Sequence, residues 1–141
     1  MSSNFSPALS AAQARAYSPL ALAFIGDGVY ETFIRTKILL KGNMSANKLH
    51  KEAVCYVRAK AQSEAIRLLL PYLTDEEEAV FKRGRNAHSA TVPKHADVTD
   101  YRYATGFESL LGYLYLTAQS DRLTHLMEEA YKAIDAMRFH D

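Results

Sequence analysis

The chain has 141 residues, of which 48% are hydrophobic and 23% are charged, which is typical of one globular domain and excludes a largely disordered chain. The formal net charge is only +1, but a near-neutral total can still conceal a basic face. A single cysteine, Cys55, excludes an internal disulfide, and neither a membrane-spanning run nor a signal peptide is recognisable, so we expect a cytoplasmic protein without membrane contact.

The first long helix begins with a clear signal. Ser18 is a typical N-cap and Pro19 suits the first helical position, and the helix is predicted to run to Leu40 and to end at Lys41 and Gly42. Because it is apolar on nearly every side, it is predicted to lie in the centre of the fold or at an interface.

Asp27 stands alone in the middle of an apolar stretch of this helix. Residues 20–31 read LALAFIGDGVYE, with Asp27 between Gly26 and Gly28. A helical glycine costs roughly 0.5–1 kcal/mol relative to alanine, which suggests that another group approaches the backbone closely. A carboxylate in the protein interior is unfavourable unless it is paired or holds a cation.

A second stretch repeats this design. Residues 105–116 read TGFESLLGYLYL, with Glu108 as the only acid and Gly106 and Gly112 nearby. If the two helices cross, Asp27 and Glu108 come together as a divalent metal site. The alternative is that a lysine, an arginine or a hydroxyl group satisfies each carboxylate separately.

The remaining elements are also predicted to be helices. One runs from the cap Ser45 to Pro71, and the capping box of Thr74 and Glu77 opens another that ends at Asn86. After a loop over residues 87–98, helices are predicted over residues 100–118 and 121–137. No period-two strand pattern is found, so the sequence predicts an all-α helical bundle.

The basic residues are unevenly distributed. Seven of the 17 lie between Arg35 and Lys60, and five more lie between Lys82 and Arg102. The candidates for contact with a nucleic-acid backbone are Lys48, Lys51, Arg85 and Lys94. The alternative is a solvated surface without a ligand.

Three segments together resemble a known family. Phe24-Ile-Gly-Asp27, Gly42-Asn-Met-Ser45 and Phe107-Glu-Ser-Leu-Leu-Gly112 resemble, in this order, motifs of the catalytic domain of the ribonuclease III family. The resemblance covers residues 18–137 as one domain. It leaves residues 1–17 as a partly loose N-terminal leader and residues 138–141 as a C-terminal tail.

The sequence also departs from the usual family pattern. Ala23, Lys41 and Thr105 stand where the resemblance places acids in other members, and no double-stranded-RNA-binding domain is recognisable. These departures, and the segments 83–87, 91–93 and 101–103, resemble the mini-ribonuclease 3 (Mini-III) branch of the family.

The resemblance implies an all-helical, homodimeric, magnesium-dependent endoribonuclease that cleaves double-stranded RNA. In that branch it implies maturation of the 5′ and 3′ ends of the large-subunit (23S) ribosomal RNA precursor, with a ribosomal protein as a further conceivable partner. Asp27 and Glu108 map onto the catalytic Mg²⁺ ligands, and Phe24 maps onto the dimer interface. The alternative is a non-catalytic double-stranded-RNA-binding or ribosome-assembly module, which the missing acids favour and the retained Asp27 and Glu108 oppose.

Overall fold

Helices account for all the regular structure in the computed structural model, which describes residues 5–87 and 97–138. The helices are α1 (Ala11–Arg15), α2 (Pro19–Lys41), α3 (Ala46–Val57), α4 (Ala59–Leu69), α5 (Asp75–Asn86), α6 (Val98–Leu116) and α7 (Ser120–Arg138), with a short 3₁₀ turn at Leu70–Tyr72. Over these two ranges no strand occurs, so the all-α prediction is confirmed. No helix in them is long and apolar enough to cross a membrane.

Helix α6 is the central helix of the bundle. Its residues 104–107 and 109–114 are buried on all sides, and α2, α4 and α5 pack around it most extensively. A helix that is hydrophobic all round must be covered on every face. The side chains of α6 that are fully buried in this core include those of Phe107, Leu110, Leu111, Tyr113 and Leu114.

Two glycines allow α2 and α6 to cross at backbone contact. A methyl group on Gly26 would overlap the carbonyl group of Glu108, and one on Gly112 would overlap the carbonyl group of Leu22. The predicted close approach is therefore confirmed at these two glycines. It is wrong for Gly28, which is exposed and where an added methyl group would contact no other element within 4 Å.

The predicted single helix from Ser45 to Pro71 is two helices. Arg58 adopts an extended conformation (φ −63°, ψ 152°) that ends α3 and begins α4. The break lets the two halves pack against different partners, since α3 lies against α2 whereas α4 lies against α6 and α7. The apolar residues keep a helical spacing on both sides of Arg58, so the periodicity of the sequence alone could not reveal the break.

The capping signals in the sequence are confirmed. Ser18 and Ser45 accept hydrogen bonds from the first turns of α2 and α3, and Thr74 and Glu77 form the predicted capping box of α5. Glu77 has a second role, because both its oxygens accept hydrogen bonds of 2.8 Å from Arg122 of α7. Burial acts to raise the pKa of Glu77, but the bonds from Arg122 and Thr74 outweigh it and lower the pKa.

The segment before α1 is attached to the end of α6. The amide of Leu9 donates to the carbonyl of Leu116 (2.8 Å), and the hydroxyl of Ser6 donates to the carbonyl of Tyr115 (2.7 Å). The division into leader, domain and tail stays a prediction. Most of the predicted loop over residues 87–98, including Lys94, lies outside the described residues.

Candidate active site

The crossing of α2 and α6 brings together Asp27 and Glu108, the acids within the two apolar stretches. Gly26 of α2 packs directly against the carbonyl group of Glu108. The next residue, Asp27, is therefore close to the Glu108 side chain. The two carboxyl groups lie close enough for the charge of Asp27 to raise the pKa of Glu108. The structure thus brings Asp27 and Glu108 into one site, as expected for two ligands of the same cation.

The environment of Glu108 disfavours its negative charge. Burial first, and then the charge of Asp27, raise the pKa of Glu108 to about 8. The charge of Glu31, one helical turn after Asp27, acts in the same direction. Two carboxyl groups held this close share a proton or a cation, because both cannot ionise without repulsion.

Asp27 is exposed in the single chain, which corrects the expectation of a buried acid. The buried stripe of α2 passes through Leu22, Gly26 and Tyr30, so Asp27 faces away from the core. An all-round apolar helix gives no hint of which face is outward. The exposure leaves Asp27 accessible to a large substrate, while Glu108 is only partly exposed.

Two buried side chains near Glu108 each have a polar atom without a partner among the described residues. These atoms are the hydroxyl oxygen of Tyr30 and Oε1 of Gln62. The Nε2 group of Gln62 donates to Oε2 of Glu108 at 3.2 Å. Sequence patterns did not single out Gln62 or Tyr30, because their proximity to Glu108 depends on how α4 and α2 pack on α6.

The chain's similarity to known proteins agrees with this geometry. The family model described as Ribonuclease III domain matches residues 20–119, which is more than half of the chain. A protein named Mini-ribonuclease 3 from Thermoanaerobacter sp. (strain X514) is 52% identical over 118 residues, covering 84% of this chain and 83% of the relative. The protein of the same name from Clostridium tetani is 53% identical over 112 residues, covering 79% and 74%.

The chain belongs to the ribonuclease III family.

A solved structure shows the same fold. A crystal structure of a protein from Fusobacterium nucleatum matches with a TM-score of 0.76 at 30% identity, covering 84% of this chain and 94% of that one. Ribonuclease III enzymes are endoribonucleases that act on double-stranded RNA and depend on divalent metal ions. Membership therefore favours the enzyme over the alternative of a non-catalytic module.

The positions where other ribonuclease III enzymes are expected to carry acids have no carboxylate here. Ala23 and Thr105 are buried, and the Thr105 hydroxyl donates to the carbonyl of Tyr101 at 2.9 Å. Lys41 takes part in a different cluster, with its ammonium group 3.9 Å from Asp135 and 5.5 Å from the centre of the Tyr131 ring. Within residues 5–87 and 97–138, no three His, Cys, Asp or Glu side chains are grouped as a metal cage.

The basic candidates for contact with RNA fall into two groups. Lys48 and Lys51 are exposed on α3. The guanidinium group of Arg85 lies 6.0 Å from the centre of the Tyr103 ring on α6, and that of Arg67 on α4, which the sequence did not single out, lies 4.0 Å from the same centre. The two guanidinium groups are therefore no more than about 10 Å apart. The placement of Lys94 stays a prediction, since it lies outside the described part of the chain.

Phe24 is the most exposed aromatic residue of α2, with 79% of its surface accessible in the single chain. It lines an apolar surface cleft of about 850 Å³ together with Ile25, Phe33 and Leu123, and Asp27 lies at the same cleft. A large exposed apolar patch typically marks an interaction surface. The cleft therefore connects the candidate interface directly with the candidate catalytic site.

Proposed function

We propose that this ribonuclease III protein is a magnesium-dependent endoribonuclease that cleaves double-stranded RNA in the cytoplasm and matures the 5′ and 3′ ends of the 23S ribosomal RNA precursor. The observation that carries the proposal is the pairing of Asp27 with Glu108 at the α2–α6 crossing, which raises the pKa of Glu108. The high identity to proteins named Mini-ribonuclease 3 supports the choice of substrate class.

The donor set fits magnesium. Mg²⁺ prefers one or two carboxylates, several waters and phosphate oxygens of the substrate, and Asp27 and Glu108 supply the two carboxylates. A cation between them would remove the repulsion that disfavours the charged form of Glu108. Two further polar groups near Glu108 have no partner among the described residues: the hydroxyl of Tyr30, which can donate or accept a hydrogen bond, and Oε1 of Gln62, which can accept one.

The chain's own residues have separate tasks in this mechanism. When bound, Mg²⁺ supplies an activated water and stabilises the charge that develops on the scissile phosphate. Asp27, exposed on α2, would hold the ion where an RNA backbone can reach it. Glu108 must lose its proton before it can bind the ion, and the close glycine contacts hold its helix at a fixed distance from Asp27.

The cleavage reaction tests these assignments. We expect Asp27→Asn and Glu108→Gln to fold and to lose cleavage of long double-stranded RNA by at least about 100-fold, because each amide removes a charge that holds the ion. Gel assays with magnesium and with EDTA provide the measurement. Asp121→Asn, an exposed acid in the first turn of α7, is the control and should cut normally. A folded Asp27→Asn variant that cuts at the wild-type rate would show that the site is wrong.

We also propose that Arg67 and Arg85 bind the RNA backbone together, in addition to the candidates Lys48, Lys51 and Lys94. Neither arginine forms an ion pair with a carboxylate of the described residues, so both charges stay available for phosphates. Stacking on Tyr103 holds the Arg67 guanidinium in place, and its Nε donates to Ser63 at 3.3 Å. A basic duplex contact of this kind suits RNA, which proteins recognise mainly by shape and backbone.

Salt-dependent binding tests this pair. We expect Arg67→Gln to weaken binding to every duplex alike and to reduce the slope of log K against log salt by about 1, the value for one lost phosphate contact. The inactive Asp27→Asn protein allows binding to be measured without cleavage. Arg35→Gln is the control, because Arg35 is already paired with Glu31 at 3.1 Å. An unchanged salt slope for Arg67→Gln would remove Arg67 from the interface.

We propose that the active form is a homodimer joined through Phe24 and the apolar cleft beside it. The exposure of Phe24 and the apolar lining of the cleft support this arrangement. A ribosomal protein as an additional partner follows from the resemblance alone.

A further inference from the structure

Gln62 lies at the junction of three helices beside the candidate active site. It occupies the first turn of α4, only 2% of its surface is accessible, and it lies just past the break that separates α3 from α4. Its Nε2 group donates to the carbonyl of Val57 at 2.7 Å and to Oε2 of Glu108 at 3.2 Å. One buried amide therefore connects the end of α3 with the carboxyl group of α6.

The contacts of Gln62 determine which way its amide faces. The carbonyl oxygen of Val57 can only accept a hydrogen bond, so the nitrogen of Gln62 must be the atom that points to it. The same nitrogen then reaches Glu108, so Oε1 is the amide atom left without a protein partner among the described residues. A buried donor held in this position restricts the orientation of the Glu108 side chain.

The free oxygen of Gln62 needs an explanation. Oε1 is buried and has no hydrogen-bond partner in the protein within residues 5–87 and 97–138. A buried acceptor without a partner is unfavourable, and native proteins keep few of them without a functional reason. An apolar side chain would be sufficient for a purely structural role at this position, as the buried neighbours Ala61, Ala65 and Ile66 on α4 show.

We propose that Gln62 is a positioning residue for catalysis, which holds Glu108 in the metal-binding orientation and accepts a hydrogen bond at Oε1 from a water molecule of the cation's shell. The inference rests on the proposed function, since it requires Asp27 and Glu108 to hold a divalent ion. Outer groups that orient a ligating carboxylate typically change metal affinity or activity by 10–100-fold when removed. Gln62 thus orients a ligand without adding a charge, at a site that carries few carboxylates.

The test compares Gln62→Met with wild type and with Gln119→Met. Methionine has a similar length and volume but no amide, so it removes both hydrogen bonds while leaving the packing nearly unchanged. Gln119 is a matched control, because its Nε2 donates to Thr117 at 2.8 Å, beyond the end of α6 and more than two helical turns from Glu108. Cleavage of double-stranded RNA is measured at saturating magnesium, below the melting temperature of every variant.

A second measurement does not depend on cleavage. Mn²⁺ prefers oxygen ligands as Mg²⁺ does, and its binding to the protein can be quantified from the electron paramagnetic resonance signal of the free ion. We expect Gln62→Met to lower kcat and Mn²⁺ affinity by about tenfold or more, with KM for RNA changed less than about twofold, whereas Gln119→Met leaves all three unchanged. Gln62→Asn, which keeps the amide but is one methylene shorter, should resemble Gln62→Met and covers the case in which methionine disrupts the fold.

The possible outcomes separate the two proposals. If Gln62→Met cuts RNA and binds Mn²⁺ as the wild type does, or if Gln119→Met loses as much, the positioning role is overturned. A loss in KM alone would likewise overturn it, because that would place Gln62 in RNA binding. If the wild-type protein binds no Mn²⁺ and cuts no RNA with magnesium, the proposed function itself fails, and the role of Gln62 fails with it.

Discussion

At the scale of single residues, Glu108 is the group whose chemistry the fold changes most clearly. Its pKa rises from an ordinary value of 4.5 to about 8, first because it is buried and then because Asp27 is close. Between these values the folded chain binds more protons than the unfolded chain, so the free energy of unfolding falls as pH rises through this window. The metal-free site therefore destabilises the protein at the alkaline end, where the carboxylate must be charged.

This linkage predicts a pH-dependent effect of Glu108→Gln. With EDTA present, we expect the variant and the wild type to melt alike near pH 4.5 and the variant to melt several degrees higher at pH 8, because the amide never has to ionise. Magnesium at pH 8 should then raise the melting temperature of the wild type alone. Glu129→Gln, a surface acid paired with Lys132 at 3.5 Å, is the control and should show no such trend. If the difference in melting temperature between Glu108→Gln and the wild type did not change with pH, the raised pKa would be contradicted.

Single residues also show the limits of sequence reasoning. The proximity of Asp27 and Glu108 could be predicted, because an acid within an apolar helical stretch is conspicuous. The contacts of Gln62 and Arg67 with α6 could not be predicted, because they depend on how α4 packs against that helix. An amide or an arginine on an ordinary amphipathic helix has no distinctive pattern, and the break at Arg58 that places Gln62 was itself not predicted.

At the scale of the helices, the reciprocal glycine contacts of α2 and α6 hold the site together. A side chain at Gly26 would meet the backbone of Glu108 and Gly112, which cannot move aside as a flexible side chain could. We expect Gly26→Ala to lower the free energy of unfolding by about 2 kcal/mol or more, as overpacking does, and to reduce cleavage by separating Asp27 from Glu108. Chemical denaturation and the gel assay measure the two effects.

Gly28 provides the matched control on the same helix. No atom lies within 4 Å of a side chain placed there, so Gly28→Ala should raise the stability of the chain by about 0.5–1 kcal/mol through the better helix propensity of alanine. If both substitutions had the same effect on unfolding, the close contact at Gly26 would not be what maintains the crossing.

The helix boundaries were predictable to the extent that local signals determine them. Caps at Ser18, Ser45 and Thr74 act within one turn of the chain, so the starts of α2, α3 and α5 follow from the sequence. The pair between Glu77 and Arg122 joins residues 45 positions apart, and nothing local reveals it. Glu77 could be predicted as a capping residue but not as a buried ion-pair partner of α7.

At the scale of the whole molecule, the order of the three motifs predicted the all-α fold and the family, whereas the outward face of α2 became visible only in the structure. That face presents Phe24, Asp27 and Gly28 to solvent. Specific protein interfaces bury about 1,200–2,000 Å² in total, and an apolar cleft next to an exposed phenylalanine is a suitable centre for one. Because Asp27 lies at the same cleft, pairing of two chains there would also shape the surface that receives RNA.

The homodimer is therefore expected to depend on Phe24. Light scattering of the wild-type protein at micromolar concentration should give twice the 15.8 kDa mass of the chain, and Phe24→Asp should give the monomer and lose cleavage, because a charge in the centre of an interface is poorly solvated. Leu40→Asp is a matched control, since Leu40 lies on the same helix with the same exposure of 79% but does not line the cleft. It should remain dimeric and active. A wild-type mass near that of one chain, or a dimer that persists in Phe24→Asp, would place the interface elsewhere.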